Sequence, residues 1–445
     1  MDFIKNIFRA ITDFKTTFRA FKYLNYRLWF SGQGVSLIGT WMQRIAVGWM
    51  VYRLTNSAFL LGMVGFMGQI PILILTPFIG VFIDRWSRYH VVLVMQILAM
   101  VQAFILAFLV LHGSIQIWHI MVLSVVLGII NAFDMPARQS FVVEMVEKKE
   151  DLGNAIALNS TMFNGARLFG PSIGGMLIAV VGEGICFLIN GISFLSVIVA
   201  LLFMKINPRK LNKTKVNFFQ EFKQGFSYVY QFPPIRAILI LLTVVSILGM
   251  PYAILMPIFA KEILKGGPNT LGFLMAGAGI GAIAGALYLA SKKTVLGLDR
   301  MIPISTAIFG FGLVLFSVSR TFWLSMAIIL FIGFGMMVQM ASSNTVIQTI
   351  VDEDKRGRVM SLYAMAFMGT VPFGSLLGGA VAAKIGAPHT ILLSGVCCVI
   401  GAVMFARELP ELRKLIHPIY AKMGIIPEVA SGIQTASRLS TPPDD

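Results

Sequence analysis

The residues that could do chemistry in this chain are the few charged side chains that lie inside long apolar segments. Asp134 is the only acid within such a segment, and Arg138 follows one helical turn later, so the two can share a helix face. A buried carboxyl group beside a base can bind and release a proton. We predict that Asp134 and Arg138 form a proton-coupling site; the alternative is a permanent ion pair that ends the segment.

Two bases, Arg44 and Arg167, also lie inside apolar segments. Charge there is costly, so each guanidinium requires a partner or a function. Arginine has five donors and stays charged, which suits anionic or catecholate oxygen atoms. We expect both arginines to face a substrate cavity, with Gln43 and Asn131 beside them. Structural pairing with a buried acid is the alternative reading.

Composition indicates what kind of protein holds these residues. The chain has 445 residues, of which 57% are apolar and only 13% are charged. A soluble domain carries about 25% charged residues, so most of this chain must face lipid. The three cysteines, Cys186, Cys397 and Cys398, lie in apolar runs without metal-ligand spacing. The sequence therefore indicates neither a metal site nor a disulfide framework.

The apolar residues fall into segments long enough to cross a bilayer. Backbone groups in lipid must be satisfied within each segment, so we predict helices throughout and an all-α membrane protein. The twelve predicted transmembrane segments are roughly 29–52, 59–83, 90–111, 116–137, 156–181, 184–204, 235–260, 270–291, 301–319, 322–347, 358–383 and 388–406.

Basic residues predict the orientation of these segments. Of the 36 Lys and Arg residues, 29 fall on the side of the N-terminus, 5 on the opposite side, and Arg44 and Arg167 within spans. This asymmetry places both termini in the cytoplasm. It also explains the net charge of +16 as a topology signal and a contact with anionic membrane lipid. No nucleic-acid partner is needed to account for it.

An internal repeat divides the chain into two halves. The segment from Gly153 aligns with the segment from Gly357 at an offset of 204, so the fifth span corresponds to the eleventh. Two homologous halves suggest a cavity between them that opens to either side in turn, which is a transporter architecture. The predicted units are an amphipathic N-terminal helix (1–28), a six-helix bundle (29–204), a basic cytoplasmic linker (205–234), a second six-helix bundle (235–406) and a cytoplasmic tail (407–445), polar and disordered after Pro410.

A glycine and charge motif follows the second span, and here a family resemblance appears. Gly80, Asp84, Arg85 and Arg88 have the spacing G-x-x-x-D-R-x-x-R, which resembles the signature between helices two and three of the major facilitator superfamily. The resemblance implies the major facilitator fold and a latch of the outward-facing state. We expect Arg85 or Arg88 to pair with Glu144 at the end of the fourth span. The corresponding loop after the eighth span lacks the Asp-Arg core.

A second motif lies in the fifth span. Gly165, Gly170, Pro171, Gly174 and Gly175 resemble the helix-five motif of drug and proton antiporters in that superfamily. The glycines allow another helix to approach closely, and Pro171 is expected to kink the helix. The arginine usual in helix four of the drug antiporters is absent. That departure, together with the Trp-Met-Gln-Arg segment that ends at Arg44, is closer to the siderophore-exporter branch.

These observations together predict a secondary transporter rather than an enzyme. The resemblance implies export of a small amphipathic molecule, a siderophore or a drug, driven by the proton gradient without a bound cofactor. The bacterial inner membrane is the expected location, and a monomer the expected state. The alternatives are an importer or lipid transporter of the same fold, and a non-transporting receptor or intramembrane enzyme. The sequence does not name the substrate.

Overall fold

A computed structural model describes residues 18–83, 86–205, 218–292 and 294–423. Every regular element in these ranges is helical. The membrane helices are α1 (Leu24–Thr55), α2 (Ala58–Ile83), α3 (Arg88–Leu111), α4 (Ile117–Met145), a 55-residue helix (Lys149–Phe203), α7 (Pro233–Ile263), α8 (Pro268–Ala290), α9 (Leu298–Val318), α10 (Phe322–Ile350), α11 (Arg356–Ile385) and α12 (Ala387–Lys422).

The 55-residue helix is two membrane helices joined at a glycine. Gly182 has φ 78°, a value that disfavours other residues, and it divides the helix into α5 (149–181) and α6 (183–203). Gly386, at φ 84°, makes the corresponding corner between α11 and α12. Within the described ranges, ten helices are long and apolar enough to span a membrane. The division at Gly182 makes two spans of one of these ten helices. α1 is the twelfth span, and the polar residues Gln33, Gln43 and Arg44 make it less apolar than the others.

The fold class predicted from the sequence is therefore confirmed, with local differences at the ends. α1 begins at Leu24, inside the segment assigned to an N-terminal helix, and residues 1–17 lie outside the described ranges. A 3₁₀ turn at Arg19–Lys22 precedes α1, and its Lys22 Nζ lies 2.5 Å from Asp151 at the start of α5. The hydrogen bond with that carboxylate raises the pKa of Lys22.

The linker and the tail also contain more helix than expected. Between the halves, Phe218–Gln231 forms a helix, and 206–217 lie outside the described part. α12 continues through Lys422, across Pro410 and Pro418, so the expected disorder after Pro410 is wrong up to that point. The reason is burial, because Leu412, Ile416 and Tyr420 pack into the second half. Residues 424–445 are not described.

Two helix crossings join the halves, both near the side of the membrane opposite the chain ends, here called the far side. α5 meets α8 where Gly175 faces Gly272, and α2 meets α11 where Gly62 faces Gly379. A Cβ on any of the four would lie within 3.0 Å of backbone atoms of the opposing helix. Gly175 and Gly379 are equivalent positions of the sequence repeat, so the two crossings are related by pseudo-symmetry.

The hydrophobic core shows which side of the molecule is closed. One large cluster lies toward the far side and includes residues of both halves, such as Met50 and Phe187 with Leu255 and Phe316. Toward the side of the chain ends, here called the termini side, each half has its own cluster. The halves thus share one core at the far side and have separate cores toward the termini side, a pattern that indicates a cleft between them there.

Candidate functional site

Two arginines and a tryptophan form a polar group at the interface between the halves. On α1, Trp41 and Arg44 are three residues apart and share a face, and the Arg44 Cζ lies 4.7 Å from the Trp41 ring centroid. Arg167 on α5 approaches the same ring at 6.0 Å. The two guanidinium groups are close enough to repel each other. The two positively charged groups therefore lie at the same Trp41 ring.

Neither guanidinium has an acidic partner in the part of the chain that the structure describes. In the described ranges, no ion pair or hydrogen bond involves the side chain of Arg44 or Arg167. A cation–π contact compensates only about 0.5–2 kcal/mol of the cost of desolvation. Structural pairing with a buried acid, the alternative raised by the sequence, is thus not what the structure shows. Arg44 and Arg167 can instead bind a negatively charged group.

The second half of the protein closes the other side of this group. Tyr252 on α7 lies within electrostatic range of Arg167, and the main-chain oxygen of Arg167 faces Gly279 on α8. Arg44 is nevertheless exposed, although Met42, Gln43, Ile45 and Ala46 around it are buried. An exposed charge at mid-membrane depth requires water, because lipid there would penalise it by about 2.5–3.5 kcal/mol or more. Arg44 therefore faces the cleft between the halves.

The other two residues expected in the cavity do not lie at the arginine pair. Gln43 is buried inside the first half, where its Nε2 donates to Gln102 at 3.0 Å and its Oε1 accepts from Asn190 at 2.7 Å. Those partners lie on α3 and α6, away from Arg44. Asn131 lies on α4, half-buried, and has no hydrogen bond to either arginine in the described ranges. Trp41 was missed in the sequence, although its spacing from Arg44 predicts a shared face.

Asp134 and Arg138 form a pair within the first half. Arg138 Nε lies 2.7 Å from Asp134 Oδ2, and Gln96 Nε2 on α3 donates to Oδ1 at 2.9 Å. The carboxylate is 4% exposed, whereas the Arg138 side chain is 20% exposed. Pro136 removes one backbone donor between the two residues. Both carboxylate oxygens are thus satisfied, and Arg138 is the route by which solvent reaches the pair.

The latch predicted at the termini side is present in part. Arg88, at the start of α3, places Nη1 3.2 Å from Glu144 Oε1 on α4 and 3.2 Å from the carbonyl of Ser140. This confirms the predicted pairing of Arg88 with Glu144. Gly80 lies in the last turn of α2. Asp84 and Arg85 lie outside the described ranges.

The helix-five glycines divide their contacts between two neighbours. A Cβ on Gly170 would meet Trp41 and the Ile38 carbonyl, and one on Gly174 would meet Met42, so both face α1. Gly175 faces α8 instead. Gly165 has nothing within 4 Å of an added Cβ, so close packing does not explain it. Backbone angles stay helical at Pro171; the only non-helical residue inside the 55-residue helix is Gly182.

Side chains also join the halves at the far side, a feature that sequence analysis missed. The Tyr52 hydroxyl on α1 donates to Glu262 on α7. Lys261 Nζ donates to Asn56 Oδ1 at 2.7 Å and lies 5.3 Å from the Tyr52 ring centroid. Two features of the sequence are compatible with such a contact. Charged residues are few on this side, and Lys261 and Glu262 are consecutive. We call these four residues the far-side latch.

Tyr52→Phe is expected to shift the conformational equilibrium toward opening at the far side. The substitution removes one hydrogen bond to a charged group, about 1.5–3 kcal/mol, or roughly tenfold or more in population. Spin labels at Ser114 and Thr321, which lie on opposite halves at the far side, measure the separation. The control is Tyr26→Phe, because the Tyr26 hydroxyl donates to Ala155 within the first half. Equal distance distributions in both variants would contradict the prediction.

This architecture defines a class of protein: a multi-pass membrane transporter of the major facilitator type, not an enzyme. The chain belongs to the family described as transmembrane secretion effectors, whose model matches residues 15–423. It is 24% identical to the staphyloferrin A transporter of Staphylococcus aureus over 85% of this chain and 95% of that protein. It is 23% identical to macrolide efflux protein A of Streptococcus pyogenes over 88% and 99%.

Among solved structures, the chain is similar to a bacterial homologue of the human lysosomal transporter Spinster. The TM-score is 0.64 at 11% sequence identity, over 88% of this chain and 98% of that one. At that identity the similarity concerns the fold. The family model and the transporter relatives confirm the resemblance to the major facilitator superfamily drawn from the sequence motifs.

Proposed function

We propose that this transporter exports a small, negatively charged organic molecule of the siderophore class from the cytoplasm, by alternating access driven by the proton gradient. The observation that carries the proposal is the pair of arginines on Trp41, for which the described part of the chain supplies no acid. A cationic substrate would be repelled there, whereas carboxylate or catecholate oxygens would supply the missing charge. The ring adds a flat apolar surface for an amphipathic molecule.

Export and orientation rest on separate support. Both relatives carry transporter or efflux names, and the helix-five glycines resemble those of antiporters. The excess of basic residues on the termini side supports a cytoplasmic location for that side of the membrane. The cleft then opens to the cytoplasm, which is the state in which an exporter loads. Substrate would enter from there and neutralise Arg44 and Arg167.

Export of a polycarboxylate siderophore is expected to fall at least tenfold in Arg44→Gln and in Arg167→Gln. Loss of a charge-assisted hydrogen bond costs about 1.5–3 kcal/mol, and the two losses act on one ligand. Arg44→Lys should restore part of the activity, since it keeps the charge but not the planar fork. The measurement is initial uptake of labelled siderophore into inverted vesicles at a fixed proton gradient.

Arg27→Gln is the matched control, because it makes the same substitution on the same helix at an exposed position near the termini side. Its rate should equal that of the unsubstituted protein. Normal siderophore transport in the double variant Arg44→Gln/Arg167→Gln would refute the proposed substrate class. Transport of a cationic macrolide, unchanged by those substitutions, would favour drug efflux instead.

A further inference from the structure

A second polar site lies on the termini side of the second half, away from the cleft. A cavity of about 420 Å³ separates the start of α9 from the end of α12. Its polar lining consists of Asp299, Arg300, Arg413, His417 and Tyr420, and Leu296 forms part of its apolar rim. This volume falls in the range of about 300–1,000 Å³ typical of small-molecule sites. Neither the arginine pair nor the proton-coupling candidate contributes to it.

One buried group in this cavity lacks a partner. Tyr420 is 3% exposed, and its hydroxyl has no hydrogen bond within the described part of the chain. A buried hydroxyl left unsatisfied lowers stability. Arg413 and Asp299, its charged neighbours, form an ion pair with each other. The hydroxyl is therefore available as a donor to an oxygen atom that enters the cavity.

The charge balance of the cavity favours an anion. Asp299 neutralises Arg413, whereas Arg300 is exposed and has no ion pair among the described residues. α9 also begins here, after Gly297 and without a side-chain cap, so its positive end faces the same space. A single negative group would be stabilised by Arg300, the helix end and Tyr420 together.

The surroundings indicate where the anion comes from. α9 and α12 pack against each other, and their outward faces carry exposed apolar side chains, including Ile304, Phe311, Val403 and Met404. In a membrane protein such a surface contacts acyl chains, and a basic pocket at its end matches a lipid headgroup. We propose that this cavity binds the phosphate of an anionic phospholipid, whose acyl chains lie along the exposed faces of α9 and α12.

The ion pair in this cavity differs from the one on the same side of the first half. In the first half, the base Arg88 at the start of α3 pairs with the acid Glu144 on α4. In the second half, the acid Asp299 at the start of α9 pairs with a base, Arg413, on the extension of α12. The positions of acid and base are thus exchanged relative to the first half. The partner lies on the last helix of its half and not on the helix that follows. Among the described residues, Arg300 is left without an acidic partner and can bind a ligand.

The test measures phosphatidylglycerol bound to the full-length protein in phosphatidylcholine nanodiscs, by native mass spectrometry over a range of lipid ratios. Arg300→Gln is expected to weaken retention of the anionic lipid about tenfold, and Tyr420→Phe, which removes only the hydroxyl, severalfold. Lys414→Gln is the matched control, since Lys414 lies beside Arg413 but is exposed and paired with Glu411. Its lipid retention should not change.

Retention equal to that of the unsubstituted protein in both Arg300→Gln and Tyr420→Phe would overturn the proposal, as would an equal loss in Lys414→Gln. A parallel experiment titrates inorganic phosphate in the millimolar range against the lipid-loaded protein. Lipid should remain bound, because the acyl chains add contacts that phosphate lacks. Displacement by inorganic phosphate would assign the cavity to a free anion and refute the lipid as its occupant.

Discussion

Asp134→Asn is expected to abolish uphill, gradient-driven export while leaving downhill exchange of substrate intact. The asparagine keeps the shape of the side chain and can still accept from Gln96, but it cannot bind a proton. Uphill export should fall by two orders of magnitude or more, because the proton gradient no longer enters the cycle. The measurement compares concentrative uptake into inverted vesicles with counterflow exchange in the same preparation, each as a function of pH.

The location of Asp134 makes this prediction more specific. Asp134 lies between α3 and α4, hydrogen-bonded to Gln96 and paired with Arg138, and not at the arginine pair. A proton on Asp134 and a substrate at the arginine pair would therefore occupy separate sites, and we propose that coupling acts through opening of the Asp134–Arg138 pair.

Gln96→Leu separates the two explanations of the pair, since it removes a structural hydrogen bond but leaves the carboxylate. If the pair has only a structural role inside α4, which continues to Met145, Asp134→Asn and Gln96→Leu should lower thermal stability alike and leave uphill transport pH-dependent. A normal uphill rate in Asp134→Asn would exclude that residue from the coupling mechanism.

Gly175→Ala is expected to reduce transport by at least tenfold and to lower the thermal stability of the purified protein. The added methyl group would lie 2.6 Å from the Pro268 carbonyl oxygen and 2.9 Å from the Gly272 Cα, both backbone atoms that cannot rotate away. Overpacking of this kind costs about 1–3 kcal/mol. Because the crossing closes the far side, the halves should separate there, and spin labels at Ser114 and Thr321 would report the increase.

Gly165→Ala is the matched control from the same motif and helix. Nothing lies within 4 Å of its added Cβ, and alanine is the better helix former, so stability should be equal or higher. Gly379→Ala, at the symmetry-related crossing, should reproduce the defect of Gly175→Ala. Equal behaviour of Gly165→Ala and Gly175→Ala would show that the crossing does not control closure.

Much of the fold could be predicted because lipid restricts the choices. Apolar length sets the spans, and the glycine repeat identifies equivalent helices. The end of α12 was missed because its buried face, with Leu412, Ile416 and Tyr420, is short and interrupted by Pro418. Hydropathy cannot distinguish a polar helix that packs on protein from a disordered tail.

The candidate site was only partly predictable. Arg44 and Arg167 were found because charge in an apolar segment is rare, and Arg88 was paired correctly by its motif. Gln43 was assigned to the cavity because it precedes Arg44, but adjacent residues on a helix point about 100° apart, and it faces Gln102 and Asn190. The contact of Tyr52 with Glu262 joins residues 210 apart in the chain, which no local pattern specifies.

The two glycine crossings also bear on how this chain originated. α5 of the first half meets α8 of the second at Gly175 and Gly272, and α11 of the second half meets α2 of the first at Gly379 and Gly62. These are two copies of one contact, as in an isologous dimer. The single-glycine corners at Gly182 and Gly386 recur at the same offset of 204 as the repeat. The arrangement is that of a homodimer of an ancestral six-helix protein, preserved after gene duplication and fusion. Each later substitution at one crossing could then be selected independently of the other.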